Sequence, residues 1–178
     1  MNLSILRDWL SSALNEEQGK EAMDTPKFIP EKSLCERDYV IIDMLNSAGH
    51  EVVSFTVSDP SLPDNPLIFV SRGFCELTGY TADEVVGKNC RFLQGKKTKE
   101  EDVKRIRDAL KEEKDCSVNL LNHKKDGTTF INEFFLTQLR TPTKELAYFI
   151  GIQVACERAG PGQAPQNPGW IYTMGNHV

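Results

Sequence analysis

Gly87-Lys88-Asn89-Cys90-Arg91-Phe92-Leu93-Gln94 brings a thiol, two carboxamides and a guanidinium into one short stretch of backbone. A guanidinium meets phosphate oxygens with a planar fork of donors. Carboxamides offer a donor and an acceptor on one flat group. Such a cluster suits a planar, anionic ligand with sulfur presented to it. Upstream, Thr81-Ala82-Asp83-Glu84 fits the capping box that opens a helix. Further back, Leu67-Ile68-Phe69-Val70 follows the turn-rich Pro63-Asp64-Asn65-Pro66 and reads as a strand. Before that, Val53, Phe55 and Val57 alternate with Ser54, Thr56 and Ser58, a strand pattern that stops at Asp59-Pro60.

Downstream, Thr98-Lys99-Glu100-Glu101 fits a second capping box, and Val103, Ile106, Ala109 and Leu110 continue it as one helical face. Three strand candidates follow, over Cys116–His123, Thr128–Leu139 and Leu146–Ala155. Lys124-Lys125-Asp126-Gly127 joins the first two as a hairpin, and Thr141-Pro142 separates the last two. Two strands, short helices and then three antiparallel strands make an α+β fold.

Three regions are expected: a helical extension over 1–50, a core over 51–156 and a tail over 157–178. In the first, Leu3, Leu6, Leu10 and Ala13 recur at helical spacing beside Ile5 and Trp9. Gln18-Gly19-Lys20 and Pro26 to Pro30 interrupt that pattern, and a second helix is expected from Cys35 to Leu45. The tail is rich in Gly, Pro, Gln and Asn before the apolar Trp170-Ile171-Tyr172.

The formal net charge of −5 over 178 residues argues against general nucleic-acid binding, which calls for a basic face. No apolar run approaches the ~20 residues needed to cross a bilayer. Met1 to Leu14 places Arg7 and Asp8 inside its apolar pattern and is not a secretory signal. Cys35, Cys75, Cys90, Cys116 and Cys156 are odd in number and lack Cys-x-x-Cys spacing. They favour a reducing, cytoplasmic setting over a disulfide framework. No metal site is expected.

Asn89-Cys90-Arg91-Phe92-Leu93-Gln94 resembles the signature of LOV domains, the flavin-binding blue-light sensors of the PAS superfamily. The likeness runs from about Phe55 to Gln153. It is carried also by Ser58 to Pro66, Phe74 to Tyr80, Ile106-Arg107-Asp108-Ala109, Leu121-Asn122, Lys125-Asp126-Gly127, Phe130-Ile131-Asn132 and Tyr148 to Gln153. It implies a PAS/LOV fold: a five-stranded antiparallel sheet with short helices enclosing a flavin. In that family the thiol matching Cys90 bonds reversibly to flavin C4a after light absorption, a cysteinyl–flavin adduct. Arg91 and Arg107 match the positions that hold the terminal phosphate, so FMN is expected over uncharged riboflavin or the bulkier FAD. On residue type alone Arg105 or Lys104 would serve as well as Arg107. Asn122, Asn132 and Gln153 are expected at the polar edge of the ring. Asn89 and Gln94 are expected at the ribityl chain or ring, and Phe134 and Leu136 on the ring face. Ile131, His123 and Thr56 depart from the common pattern, which has a Trp, an aromatic and an aliphatic there.

Strand parity supports that placement, since Val118 and Leu120 go inward with Asn122, Phe130, Phe134 and Leu136 with Asn132, and Phe149 and Gly151 with Gln153. The same parity sends Leu121, Ile131, Phe135, Tyr148, Ile150, Ile152 and Val154 outward. So apolar a face needs a cover. Leu6, Trp9 and Leu10 are the expected cover, in this chain or a second subunit, and a homodimer through this face, light-dependent or not, is expected. A downstream protein partner is implied but not identified. No enzyme activity is expected: His50, His123 and His177 are scattered and no nicotinamide-binding Gly pattern occurs. The alternative is a PAS sensor that holds flavin for redox or ligand sensing, for which a sulfur at Cys90 has no use.

Overall fold

The computed structural model describes residues 26–47 and 53–156. The expected amphipathic segment with Leu6, Trp9 and Leu10, and the tail from 157, lie outside the described residues. In chain order the elements are α1 (Glu36–Ser47), β1 (Ser54–Ser58), β2 (Leu67–Val70), α2 (Arg72–Thr78), α3 (Ala82–Val85), a 3-10 turn (Cys90–Leu93), α4 (Glu100–Glu112), β3 (Cys116–His123), β4 (Thr129–Arg140) and β5 (Leu146–Cys156). The strands form one sheet in the order β2-β1-β5-β4-β3, every pair antiparallel. This is the expected five-stranded α+β architecture.

Local signals explain most boundaries. Glu84 accepts a hydrogen bond from the Thr81 N–H at 2.9 Å, the reciprocal half of the α3 capping box. At the β3–β4 hairpin, Lys124 N–H donates to Thr128 O at 2.7 Å, and Gly127 takes φ 84°, the left-handed region glycine enters without strain. The Thr98 box is a correction. Helix α4 is capped from Lys99, because the Thr98 hydroxyl is engaged elsewhere. It donates to Leu121 O at 2.6 Å and accepts from the Gly95 N–H at 3.0 Å, tying the loop to β3. Here a tertiary bond outcompetes a local cap.

Ser71 seats α2 on β1. Its buried hydroxyl donates to Val53 O at 2.8 Å and accepts from the N–H groups of Phe55 and Phe74 at 2.9 and 3.1 Å. The helix lies so close that a Cβ on Gly73 would sit 2.7 Å from Val53 O.

Within the described residues, α1 and the segment before it close over the outer face of the sheet; the expected cover around Leu6, Trp9 and Leu10 lies outside them. Phe28, Leu34, Ile41, Ile42 and Leu45 join Phe55, Val57, Tyr148, Ile150 and Ile152 in one buried cluster. Each fully buried Leu, Ile or Phe contributes on the order of 1.5–3 kcal/mol. Polar clasps fix the register of α1. Cys35 N–H donates to Arg140 O at 2.8 Å, and fully buried Asp38 accepts from the Arg140 N–H at 2.6 Å and from Arg37 Nε at 2.8 Å. Lys32 donates to Asp59 at 2.5 Å and lies 4.7 Å over the Tyr148 ring. Residues 26–35 reach α1 as non-helical chain, in keeping with the interruption at Pro26 to Pro30 and a helix from about Cys35.

Candidate functional site

The inner face of the sheet bounds a cleft closed on its other side by α2, the 3-10 turn and α4. Cys90, Gln94, Ile106 and Phe134 line it along its whole length. Phe74, Leu120, Asn122, Asn132 and Gln153 line the inner end. Asn89, Arg91, Arg107, Leu136 and Gly151 line the wider mouth, which encloses about 230 Å³. All ten residues expected at the site border this one cleft. Phe130, expected to point in with Asn132, does not border it; its ring lies 5.9 Å from the Lys124 ammonium.

The inner end is a chain of carboxamides. Asn132 Nδ2 donates to Asn122 Oδ1 at 2.8 Å, and Asn122 Nδ2 donates to Leu93 O at 3.2 Å. The donors therefore run one way and leave Asn132 Oδ1 buried with no protein partner. An unpaired buried acceptor costs about 1–3 kcal/mol, so this oxygen fits a ligand N–H. Gln153 is held at both ends of its amide. Oε1 accepts from the Ser54 hydroxyl at 3.0 Å, while Nε2 donates to Thr56 Oγ1 at 3.2 Å and Gly151 O at 3.1 Å. Gly151 must lack a side chain, because a Cβ would lie 2.6 Å from Phe134 Cε2.

Cys90 opens the 3-10 turn, with Asn89 as its cap. Its thiol is exposed to the cleft while protein surrounds it. Burial pushes the thiol pKa up, and the positive charge of Arg91 only partly opposes that. Cys90 is therefore a neutral thiol near pH 7, not a standing thiolate. Asn89 borders the mouth, but its amide is spent on backbone: Oδ1 accepts from the Arg91 N–H at 3.1 Å and Nδ2 donates to Asp64 O at 2.7 Å.

The two arginines differ. Arg91 forks onto the Asp64 carboxylate at 2.5 and 2.7 Å, which holds that carboxyl below its ordinary pKa. Arg107 faces the same mouth and makes no ion pair among the described residues. Arg105 instead donates to Ser117 O at 3.0 Å and Lys104 pairs with Asp108 at 2.6 Å, so neither competes with Arg107 for the cleft.

Sequence reasoning gave Ser54, Thr56 and Asn65 no role at the site. Alternation in β1 reads as apolar inside and polar toward water. Yet Ser54 and Thr56 are only 6% and 4% exposed, because the polar face of the strand meets the cleft. Asn65 Oδ1 is a further buried acceptor without a partner, at the mouth. Asp64 and Asn65 both take positive φ, 69° and 46°, a pairing that the Asp-Asn dipeptide between two prolines signals.

The chain matches the PAS domain family over residues 52–154. It is 45% identical over 113 residues to Phototropin-2 of Oryza sativa subsp. japonica, a match covering 64% of this chain and 12% of that protein. It is 43% identical over 114 residues to a blue-light photoreceptor of Listeria monocytogenes, covering 64% of this chain and 44% of the relative. The chain thus spans less than half the length of these relatives. Among solved structures, one light-oxygen-voltage domain studied with a flavin analogue superposes with a TM-score of 0.64 at 40% identity, covering 70% of this chain and 90% of that one. The dark structure of the blue-light photoreceptor Aureochrome1 LOV superposes with a TM-score of 0.58 at 46% identity, covering 59% and 76%.

Proposed function

Since the chain belongs to the PAS domain family and its core is a LOV domain, we propose that it is a blue-light sensor holding FMN in the cleft and bonding it reversibly through Cys90. The observation that carries this is the placement of one cleft-facing thiol beside a buried carboxamide oxygen, on Asn132, that has no protein partner. The bound flavin would supply light absorption and the ring carbon that accepts sulfur. The chain supplies position. Asn122, Asn132 and Gln153 orient the polar edge of the ring, Phe134 and Leu136 flank its face, and Gln94 spans the passage to the mouth. Arg107, with Arg91 beside it, meets the phosphate, which favours FMN over riboflavin.

A neutral Cys90 thiol serves this chemistry, because it keeps its proton until light makes it reactive. The Cys90 thiol would supply the proton that the flavin takes up, and Gln153 would change its hydrogen bonding in response. β5 carries Gln153 on its inner face and Ile150 and Ile152 on its outer face, under α1. A rearranged Gln153 therefore alters the grip of the sheet on its cover. The output is a changed association, with a second copy of the chain or a downstream protein, so the chain acts as a sensor and not a catalyst. Five free cysteines support a reducing, intracellular setting. Among the described residues no helix is long and apolar enough to cross a membrane.

The test is the absorption spectrum before, during and after blue light, beside Cys90→Ala. Reversible bleaching of the blue flavin band in the wild type alone is expected. A bound flavin that does not bleach would favour redox sensing, and no bound flavin would overturn the proposal.

A further inference from the structure

A second pocket lies at the hairpin end of the sheet and shares no lining residue with the cleft that holds Cys90. It encloses about 640 Å³, within the roughly 300–1,000 Å³ of small-molecule sites. Strands β3, β4 and β5 meet there, since Leu121 pairs with Ile131 and Ile131 with Cys156. Leu121, Phe130, Ile131 and Ala155 supply apolar wall, and Lys97 and Lys124 supply charge. Leu121, Phe130 and Ile131 are only half-buried, so apolar surface remains to be covered.

The backbone that carries each lysine is fixed. Lys97 sits in the loop that the Thr98 hydroxyl ties to Leu121 O at 2.6 Å. That loop lies so close to β3 that a Cβ on Gly95 would come within 2.4 Å of the His123 ring. Lys124 donates its N–H to Thr128 O at 2.7 Å, and its ammonium lies 5.9 Å from the Phe130 ring centroid, against the apolar wall. Neither lysine makes an ion pair among the described residues. Lys125 next to them is matched by Glu84 at 2.5 Å. The Asp126 carboxylate accepts from the Thr128 N–H and hydroxyl at 2.9 and 2.7 Å. Two ammonium groups beside an apolar hollow match an anion with an apolar body. An anionic membrane fits less well, because it calls for clusters of about four to eight cations and the chain carries a net charge of −5.

We propose that this pocket binds a small alkyl carboxylate, with its chain on Leu121, Phe130 and Ile131 and its head met by Lys97 and Lys124. Binding there requires no flavin.

The experiment titrates the full chain, methyl-labelled at Ile, Leu and Ala, with octanoate, hexanoate, acetate and 1-octanol, followed by NMR. Octanoate is expected to shift the Leu121, Ile131 and Ala155 methyls saturably. Hexanoate is expected to bind roughly tenfold more weakly, for want of two methylenes, and acetate not to saturate. The double variant K97Q/K124Q is expected to keep the wild-type Tm, to lose about tenfold in octanoate affinity and to bind 1-octanol unchanged. I131W fills the hollow and is expected to weaken both ligands. No saturable shift at these methyls would overturn the proposal. So would equal octanoate affinity in K97Q/K124Q and wild type, or shifts confined to Leu93, Leu120 and Leu136 in the Cys90 cleft. A synthetic Leu-Glu helix that moves the same methyls at lower concentration than octanoate would make the occupant a protein segment and overturn the small-ligand assignment.

Discussion

Arg91 and Arg107 share a side-chain type and border the same cleft mouth, but their surroundings separate them. The fork of Arg91 is already matched by Asp64, whereas Arg107 has no ion-pair partner among the described residues. A phosphate therefore gains more from Arg107, and Arg107→Ala is expected to weaken FMN binding about tenfold or more while leaving riboflavin binding nearly unchanged. Titrating both flavins into flavin-free protein checks this, and equal losses for both would refute it. Asp64→Asn frees the Arg91 fork and is expected to widen the preference for FMN over riboflavin in the same titration. Both arginines were legible from the motif, but Asp64 was not, because only the fold brings the turn before Pro66 to the 3-10 turn. Asn89 borders the same mouth, where its Oδ1 caps the 3-10 turn through the Arg91 N–H and its Nδ2 reaches back to Asp64 O.

Between elements, Glu84 on α3 pairs with Lys125 of the β3–β4 hairpin at 2.5 Å while also accepting from the Thr81 N–H. The Lys125 hydrogen bond, followed by the Thr81 N–H, lowers the Glu84 pKa from an ordinary 4.5 to about 2. A depressed carboxyl stabilises the fold fully above its unfolded pKa and loses that contribution as pH falls through the folded one. Glu84→Gln is therefore expected to lower Tm at pH 6 and to converge with the wild type as pH approaches 2, read from Tm against pH. A gap that stayed constant down to pH 2 would contradict the pairing. Asp38→Ala removes the fully buried carboxylate that accepts from the Arg140 N–H. A loss of about 1–3 kcal/mol is expected in urea unfolding. The strands were legible because alternation and turn residues agree from Cys116 onward. The Thr98 cap was misread because a competing carbonyl on β3 lies far away in sequence.

For the whole molecule, the sequence showed that the outer sheet face needs a cover, but that α1 supplies part of it was not legible, because its seating depends on bonds to a strand distant in sequence. The Cys35 N–H donates to Arg140 O and the Arg140 N–H donates to Asp38, which seats α1 on the sheet. Leu45 of α1 is fully buried against the sheet, and Leu45→Ala is expected to cost about 2–5 kcal/mol while sparing flavin affinity, since α1 lies across the sheet from the cleft. Gln153→Leu is expected to keep the reversible bleaching and to diminish the light-induced change in hydrodynamic size; an undiminished change would exclude Gln153 as the relay. Strand β5 is the middle of the five, bonded to β4 from Leu146 to Cys156 on one edge and to β1 from Phe149 to Gln153 on the other. In mechanical terms it is a beam clamped along one long side and over the stretch around Gln153 on the other. Sliding it would break two ladders at once, whereas bowing it out of plane breaks neither. A push at Gln153 is thus converted into curvature, and a body resting on the far side reads it as a change in fit.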